Sequence, residues 1–294
     1  MDEKDFPNFY IAGDSASLSA QKFYTNYIKW SLISMLTAAV VAIYSFQEVE
    51  SKRIGYVISG ILLMISTILS LIIKNKKYES TWYRGRALAE SAKTLTWRFM
   101  TKSEYFEDTI NDDEAKKRFI NRIKEIKNEF KDLNASLKAK HLSVPIITEK
   151  MIATRQLNLK DRMEFYLKNR IENQISWYSS KADANKNKYE IWFWAVIIMQ
   201  ILALVSVAYL VFNPESNIKL VGLFTSLSAC CLAWLQLKKY QENKEAYTTA
   251  VSELNLIKQE AELIHTEEKF QIYVLDSENA MSREHTLWLA QKRI

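Results

Sequence analysis

Hydrophobic residues are concentrated in four runs of the sequence that contain no charged side chain. The runs are Trp30–Phe46, Ile54–Ile73, Ile191–Phe212 and Leu220–Leu237. A helix needs roughly 20 apolar residues to cross a hydrocarbon core of about 30 Å. Two runs reach that length by themselves, and residues 27–28 and 218 extend the other two. The pattern therefore predicts four transmembrane helices, because a large soluble core rarely contains such long uncharged runs.

Short connecting segments predict that these four helices form two hairpins. Residues 47–53 join the first pair and residues 213–219 join the second, so both ends of each hairpin lie on one side of the membrane. Basic residues are abundant next to the open ends, whereas acids balance the few basic residues of the two tips. The positive-inside rule then places both termini and residues 74–190 in the cytoplasm.

The two hairpins resemble copies of one unit. A shift of 162 positions brings four features of the first hairpin onto four of the second. Tyr27, Trp30, Gly60 and Lys76-Lys77-Tyr78 then coincide with Tyr189, Trp192, Gly222 and Lys238-Lys239-Tyr240. Because both copies begin on the same side of the membrane, the sequence predicts a parallel tandem duplication.

The remainder of the chain is predicted to be helical, because residues that break helices are scarce. The sequence has five glycines and three prolines, and none of either follows Gly222. Residues 112–140 carry apolar side chains at heptad spacing, which predicts one helix that packs within the chain or against another subunit. These residues are Phe119, Ile123, Ile126, Phe130, Leu133 and Leu137.

The expected fold is an all-α membrane protein with four transmembrane helices, arranged as two hairpins, and long cytoplasmic helices that form a bundle. We divide the chain into a first hairpin unit over 1–110, a heptad helix and loop over 111–158, and a second hairpin unit over 159–294.

No group of residues indicates catalysis, cofactor binding or metal binding. The sequence lacks a Gly-rich phosphate loop, and its three histidines are scattered. Cys230 and Cys231 are adjacent, so their side chains point about 100° apart on a helix and suit apolar packing better than a shared metal. Glu284 lies beside His285, but no nucleophile accompanies them. An enzyme is therefore not expected, and neither is a nucleic-acid partner.

Small and hydroxyl residues form stripes on the predicted transmembrane helices. They are Ser34 in the first run, Ser59, Ser66 and Ser70 in the second, and Gly222, Thr225 and Ser226 in the fourth. Gln200 is the one amide in the middle of a run. Such residues let membrane helices pack closely, or they line a polar passage within an oligomer. Both interpretations remain open, and a single chain with four helices is too small to enclose a channel by itself.

Three segments resemble a bacterial membrane family called SLATT, the SMODS- and SLOG-associating two-transmembrane effectors. The segment before the third run matches the family at Arg170, Gln174, Trp177, Tyr178, Lys181, Asn185 and Tyr189. The C-terminal segment matches at Phe270, Glu278, Glu284 and Trp288, and residues 82–100 resemble a related branch. The chain is therefore identified as a tandem of two SLATT units.

The resemblance implies an effector of a prokaryotic antiphage or conflict system in the inner (cytoplasmic) membrane. Such proteins are encoded beside nucleotide-generating or nucleotide-sensing partners, and their expected act is to form a homo-oligomeric pore in the lipid. The alternative is a membrane scaffold that recruits a cytoplasmic partner and conducts nothing. Gln174, Trp177, Tyr178, Glu278, Glu284 and Trp288 are then expected in the cytoplasmic core or at an assembly surface.

Overall fold

The described part of the chain is helical and contains no strand, as a computed structural model shows. The structure describes residues 1–43, 49–216 and 219–290, with the side chains of 43 and 282–290 left aside. The α-helices are α1 Asn8–Ile43, α2 Val49–Lys76, α3 Tyr78–Met100, α4 Asp112–Glu129, α5 Ala139–Leu142, α6 Glu149–Arg155, α7 Leu159–Tyr166, α8 Asn173–Phe212, α9 Val221–Lys238, α10 Tyr240–Glu260 and α11 Glu267–Ala290. A π-helical segment, Leu167–Glu172, joins α7 to α8.

Polar side chains fix where three of the shorter helices begin. Asn111, Thr148 and Asn158 precede α4, α6 and α7, and each accepts a hydrogen bond from the backbone N–H three residues later. Such N-caps satisfy donors that have no partner inside the helix. The starts of these helices are therefore encoded locally.

The predicted helix over 112–140 is wrong beyond Glu129. A 3₁₀ helix follows at Lys131–Ser136, and Arg84 donates to the Glu129 carbonyl at 3.0 Å, which closes the end of α4. Phe130 and Leu133 then pack on Leu88, in a cluster separate from the one that contains the earlier residues of the seam. The heptad pattern continued through this point, but burial against α3 ended the helix.

The chain divides into two compact units, and each unit combines distant segments. The core unit consists of Met1–Gln21, Tyr78–Lys181 and Ala246–Ile294, and the apolar unit consists of Lys22–Lys77 and Ala182–Glu245. The core unit contains a large cluster of buried aromatic side chains. Trp97 meets Tyr166 edge-on with ring centroids 5.6 Å apart, and Tyr166 meets Phe270 in the same way at 6.2 Å.

In the apolar unit, neighbouring helices contact each other through small residues. The Ser31 and Ser66 hydroxyl oxygens lie 2.8 Å apart, and the Ser59 hydroxyl donates to the Ala38 carbonyl at 3.1 Å. As the residue number in α1 rises by seven, the partner number in α2 falls by seven, which is an antiparallel register.

The helices of the second pair also touch. In α8 and α9, Ser228 Oγ lies 3.4 Å from the Val196 carbonyl oxygen, and the Trp192 and Trp234 rings are 6.1 Å apart. This contact too is antiparallel, because Ser228 precedes Trp234 whereas its partner Val196 follows Trp192.

Three helical segments of the described residues are long and apolar enough to cross a membrane. They are Val49–Met100, Leu159–Phe212 and Val221–Leu263, and their apolar parts belong to the second, third and fourth runs. The first run extends to Phe46, and its last three residues lie outside the described ranges. A membrane protein is thus supported, with three candidate spans where the sequence predicts four.

Two lysines adopt the left-handed backbone conformation at equivalent positions of the duplication. Lys77 has φ 49° and ends α2, and Lys239 has φ 48° and ends α9. This conformation costs a residue with a side chain about 1–2 kcal/mol. The two positions are 162 apart, which is the shift that aligns the hairpins, so a shared backbone break supports the predicted duplication.

Helices α1 and α3 approach each other closely in the core unit, where two glycines meet. A Cβ atom on Gly13 would lie 3.0 Å from the Gly85 carbonyl oxygen, and a Cβ atom on Gly85 would lie 3.0 Å from the Gly13 carbonyl oxygen. Most atoms near these two Cβ positions belong to the backbone. They cannot move aside by rotation about a side-chain bond.

We expect Gly85→Ala to lower the stability of the protein by roughly 1–3 kcal/mol, because it forces the two backbones apart. Gly60→Ala is the control, since a Cβ atom there meets nothing within 4 Å. Thermal unfolding in detergent measures both variants. A Gly85→Ala protein as stable as the wild type would show that α1 and α3 are not in this close contact.

Candidate functional site

Glu278 is the centre of a buried polar cluster in the core unit. It lies on α11 and is 0% exposed, and Arg170 of the π-helical segment opposite is 2% exposed. Arg170 Nε donates to Oε1 of Glu278 at 2.8 Å and Nη2 donates to Oε2 at 2.7 Å. This parallel, bidentate geometry is the strongest arrangement of a guanidinium and a carboxylate.

Two hydroxyl groups complete the cluster around Glu278. Tyr166 donates to Oε1 at 3.0 Å and Thr94 of α3 donates to Oε2 at 2.9 Å. Each carboxylate oxygen therefore accepts two hydrogen bonds. We call these four residues, Thr94, Tyr166, Arg170 and Glu278, the Glu278 cluster.

The Glu278 cluster strongly favours one charge state. Burial by itself disfavours the charged guanidinium of Arg170, but Glu278 outweighs this and raises the pKa of Arg170. Burial, followed by the Glu278 charge, raises the pKa of Tyr166 well above its usual value. Arg170 therefore stays charged and Tyr166 stays neutral near neutral pH, so neither of these two groups exchanges a proton there.

Arg170 is the last of three buried arginines at regular spacing. Arg155 donates from Nη1 to the carbonyls of Phe99 at 3.0 Å and Phe106 at 2.9 Å, and it pairs with Asp112. Arg162 pairs with Glu267 at the start of α11. Each arginine thus fastens the segment 149–172 to a different part of the core unit.

The helix around Arg170 is wider than an ordinary α-helix. The sequence predicts helix from Leu159 into the third run without a break, and the structure has helix throughout. Over Leu167–Glu172, however, the helix is π-helical, which the sequence does not predict. Such wide turns inside helices occur frequently at functional sites.

Three further residues of the predicted cytoplasmic set lie next to this segment. Tyr178 is buried, whereas Trp177 is 37% exposed, and both rings pack on Tyr247 of α10 with centroids 5.6 Å and 5.5 Å away. Gln174 lines a cavity between α1, α3 and the π-helical segment. The side chains of Glu284 and Trp288 lie outside the described part of α11.

The predicted stripe on α2 faces the neighbouring helix of the same chain. Ser59 and Ser66 are buried there, with the hydroxyl contacts to α1 already given. Ser70 is exposed, and its hydroxyl donates to the Ser66 carbonyl of its own helix. Ser34 of α1 is only half-buried, and Ser31 takes the contact instead.

The predicted stripe on α9 faces outward in the single chain. Gly222 and Thr225 are exposed and Ser226 is half-buried, whereas Ser228 is the residue that meets α8. Gln200 of α8 is also exposed in the middle of its apolar run. The second hairpin therefore leaves Gly222, Thr225 and Gln200 uncovered, whereas Ser59 and Ser66 of the first hairpin are buried.

Sequence reasoning missed the residues whose role depends on the tertiary fold. Arg155 and Arg162 are charged residues, which usually lie on the surface, and their only signal is that they are seven residues apart, with Arg170 eight residues further on. Nothing in the sequence distinguishes Ser31 and Ser228 from the other residues of their apolar runs. Their role as helix contacts follows only from how the helices pair. Among the described residues, no group of His, Cys, Asp and Glu has the arrangement of a metal site.

Two family models match the chain in tandem. SMODS and SLOG-associating 2TM effector domain 3 matches residues 7–163, and effector domain 1 of the same name matches residues 166–288. The two models describe SLATT domains, so the predicted resemblance and its tandem arrangement are confirmed. No curated protein and no solved structure matches the chain. Thr94 belongs to the first matched segment and Glu278 to the second, so the Glu278 cluster joins both SLATT domains.

We expect Glu278→Ala to destabilise the core unit by about 3–5 kcal/mol, because it leaves the buried Arg170 without a counter-ion. For a unit of this size the loss corresponds to a fall of roughly 10 °C in the midpoint of thermal unfolding. The double variant Arg170→Met with Glu278→Leu removes both charges and should recover most of that loss. Glu268→Ala is the control, because Glu268 is exposed on the same helix. Equal midpoints for Glu278→Ala and Glu268→Ala would contradict the buried pair.

Proposed function

The chain belongs to the SLATT family of two-transmembrane effector domains, and from this premise we propose that it is a pore-forming effector of a prokaryotic conflict system. In this proposal several copies assemble in the inner membrane, and the assembly kills or arrests a phage-infected cell by making the membrane permeable. The action is non-enzymatic. Its trigger comes from a nucleotide-generating or nucleotide-sensing protein encoded nearby, which the SMODS and SLOG association in the family description supports.

The observation that carries this proposal is an exposed amide in an apolar span. Within one chain, only 11%, 11% and 6% of the most apolar stretches of the three candidate spans are buried. The uncovered surface includes Gln200, whose amide forms no hydrogen bond within the described residues. A polar group in hydrocarbon is costly unless another helix or water meets it. An adjacent copy or a water-filled passage supplies that partner.

The exposed stripe of α9 supports the same assembly. Gly222, Thr225 and Ser226 allow a second helix to approach closely, and the Thr225 hydroxyl is satisfied within its own helix by the Val221 carbonyl at 2.9 Å. We therefore propose that α8 and α9 form the contacts between copies or the wall of the passage. The first hairpin then supports them, because its small residues already pack against each other.

We expect Gln200→Leu to weaken the oligomer by about 1 kcal/mol per contact and to reduce membrane leakage. Full-length protein is placed in liposomes that contain a fluorescent dye, and its mass is measured in detergent. Ser206→Ala is the control, because the Ser206 hydroxyl already donates to Leu202 of the same helix at 2.8 Å. Assembly without leakage would favour the scaffold alternative, and a wild-type protein that stays monomeric in membranes would contradict the proposal.

The proposed topology has four spans in two hairpins, with both termini inside the cell. A reporter inserted near His141, or placed after the last residue, should then read cytoplasmic. Tags within 47–53 or 213–219 should read external, because these segments connect the spans of each hairpin. A reporter near His141 that reads external would contradict the arrangement, since residues 74–190 separate the two hairpins.

A further inference from the structure

A cavity of about 210 Å³ lies in the core unit, beside the Glu278 cluster. Its walls come from Met1, Glu3 and Phe6 before α1, from the first turns of α1, from α3 and from the π-helical segment with the start of α8. Trp97 and Lys93 of α3 line it together with Arg170, and Tyr10 and Asp14 of α1 face them. The volume exceeds what one water molecule requires, so a small organic molecule fits.

Two residues that line the cavity carry buried hydrogen-bond donors without an acceptor in the protein. Arg170 uses Nε and Nη2 for Glu278, but its third nitrogen, Nη1, has no partner among the described residues. The indole N–H of Trp97 is likewise unpaired, and this side chain is almost completely buried. Buried donors in native proteins nearly always have a partner, so each such group requires an explanation. Both side chains line one cavity, and their unpaired nitrogens are buried behind its surface, so a ligand meets them only if its acceptor oxygen enters the wall.

Lys93 adds a positive charge to the same wall. None of the ion pairs among the described residues includes Lys93, and burial, together with Arg170 and Arg86, lowers its pKa to about 8. Asp14 of α1 and Glu90 of α3 lie near Lys93, and both form ion pairs with Arg86, at 3.6 Å and 2.9 Å. Glu278 already accepts hydrogen bonds on both oxygens. Neither the Trp97 indole N–H nor Arg170 Nη1 has an acceptor among the described residues, although Glu3 and Asn169 also line the cavity.

We propose that this cavity binds a small organic monoanion, with its carboxylate on Lys93, Arg170 and Trp97. The carboxylates of Glu3 and Asp14, which also line the cavity, limit the negative charge that fits, so a single carboxylate suits the cavity better than a dianion. The rings of Phe6 and Tyr10 supply an apolar wall for a short aliphatic chain. This site is independent of the proposed pore, because every residue that forms it belongs to the core unit.

Propionate is the probe, and propionamide is its neutral isostere. The midpoint of thermal unfolding of the full-length protein in detergent is measured up to 50 mM of either compound, with ionic strength held constant by sodium chloride. We expect propionate to raise the midpoint by about 2 °C or more, because a ligand that binds only the folded state stabilises it. Propionamide should leave it unchanged. Equal shifts with both compounds, or no shift with propionate, would overturn the proposal.

Lys93→Met tests the site directly, because methionine has similar length and no charge. We expect the propionate concentration that gives a half-maximal shift to rise about tenfold, whereas Lys117→Met, which removes an exposed lysine of α4, should match the wild type. Trp97→Phe provides a second variant if Lys93→Met does not fold, since it removes the indole donor and keeps a ring. Unchanged propionate affinity in the variant measured would reject the assignment.

The pH dependence of propionate binding supplies an independent measurement. Lys93 is charged below its pKa of about 8 and neutral above it, so the wild type should lose affinity between pH 7 and pH 9. The groups that face Lys93 are Glu90 and Arg86 on its own helix, Arg170, Glu278, and Asp14 and Tyr10 of α1. The N-terminal ammonium of Met1 and the Glu3 carboxylate line the same cavity, so the Lys93→Met variant is measured over the same pH range. Burial and Asp14 raise the pKa of Tyr10 to about 12, so its phenol stays neutral in this window. Affinity that is equal at pH 7 and pH 9 would exclude the Lys93 ammonium from the site.

Discussion

The core unit depends on one buried ion pair, between Arg170 and Glu278. The two residues are 108 positions apart in the sequence, and Thr94 and Tyr166 bring α3 and α7 into the same cluster. Removing two charges from water is costly, so a buried pair of this kind contributes little net stability compared with apolar residues of the same size. A shift of α11 to another register would leave both charges buried without a partner, so the pair favours the observed register over others.

The sequence alone predicts the helical class and the apolar runs, because both follow from local properties of the chain. Scarce glycine and proline leave long helices, and uncharged runs identify candidate spans. The sequence does not predict the end of α4, where Arg84 donates a hydrogen bond to the Glu129 carbonyl. Nor does it predict the burial of Arg155 and Arg162, because a charged side chain is buried only if distant segments provide acceptors.

The duplicated hairpins share a backbone break but present different surfaces. Lys77 and Lys239 both take the left-handed conformation, so the same backbone turn ends α2 and α9. Ser59 and Ser66 of α2 are buried against α1, and Ser228 of α9 is buried against α8, whereas Gly222 and Thr225 of α9 remain exposed. A duplication frees one copy to change while the other maintains the original packing. The proposed contacts between subunits therefore fall on the second hairpin, where uncovered polar groups also include Gln200.

Lys93 and the free nitrogen of Arg170 are difficult to explain by stability. Burial lowers the pKa of Lys93, so the folded state holds its charge less readily than the unfolded chain does. The buried charge of Lys93 therefore lowers the free energy of unfolding at neutral pH, and methionine at this position would remove that cost. Residues that reduce stability and yet surround a cavity are typical of binding sites, where a buried charge or an unpaired donor is kept because it contacts a ligand. An anion there would share Arg170 with Glu278, so occupancy of the cavity and the register of α11 would depend on the same guanidinium.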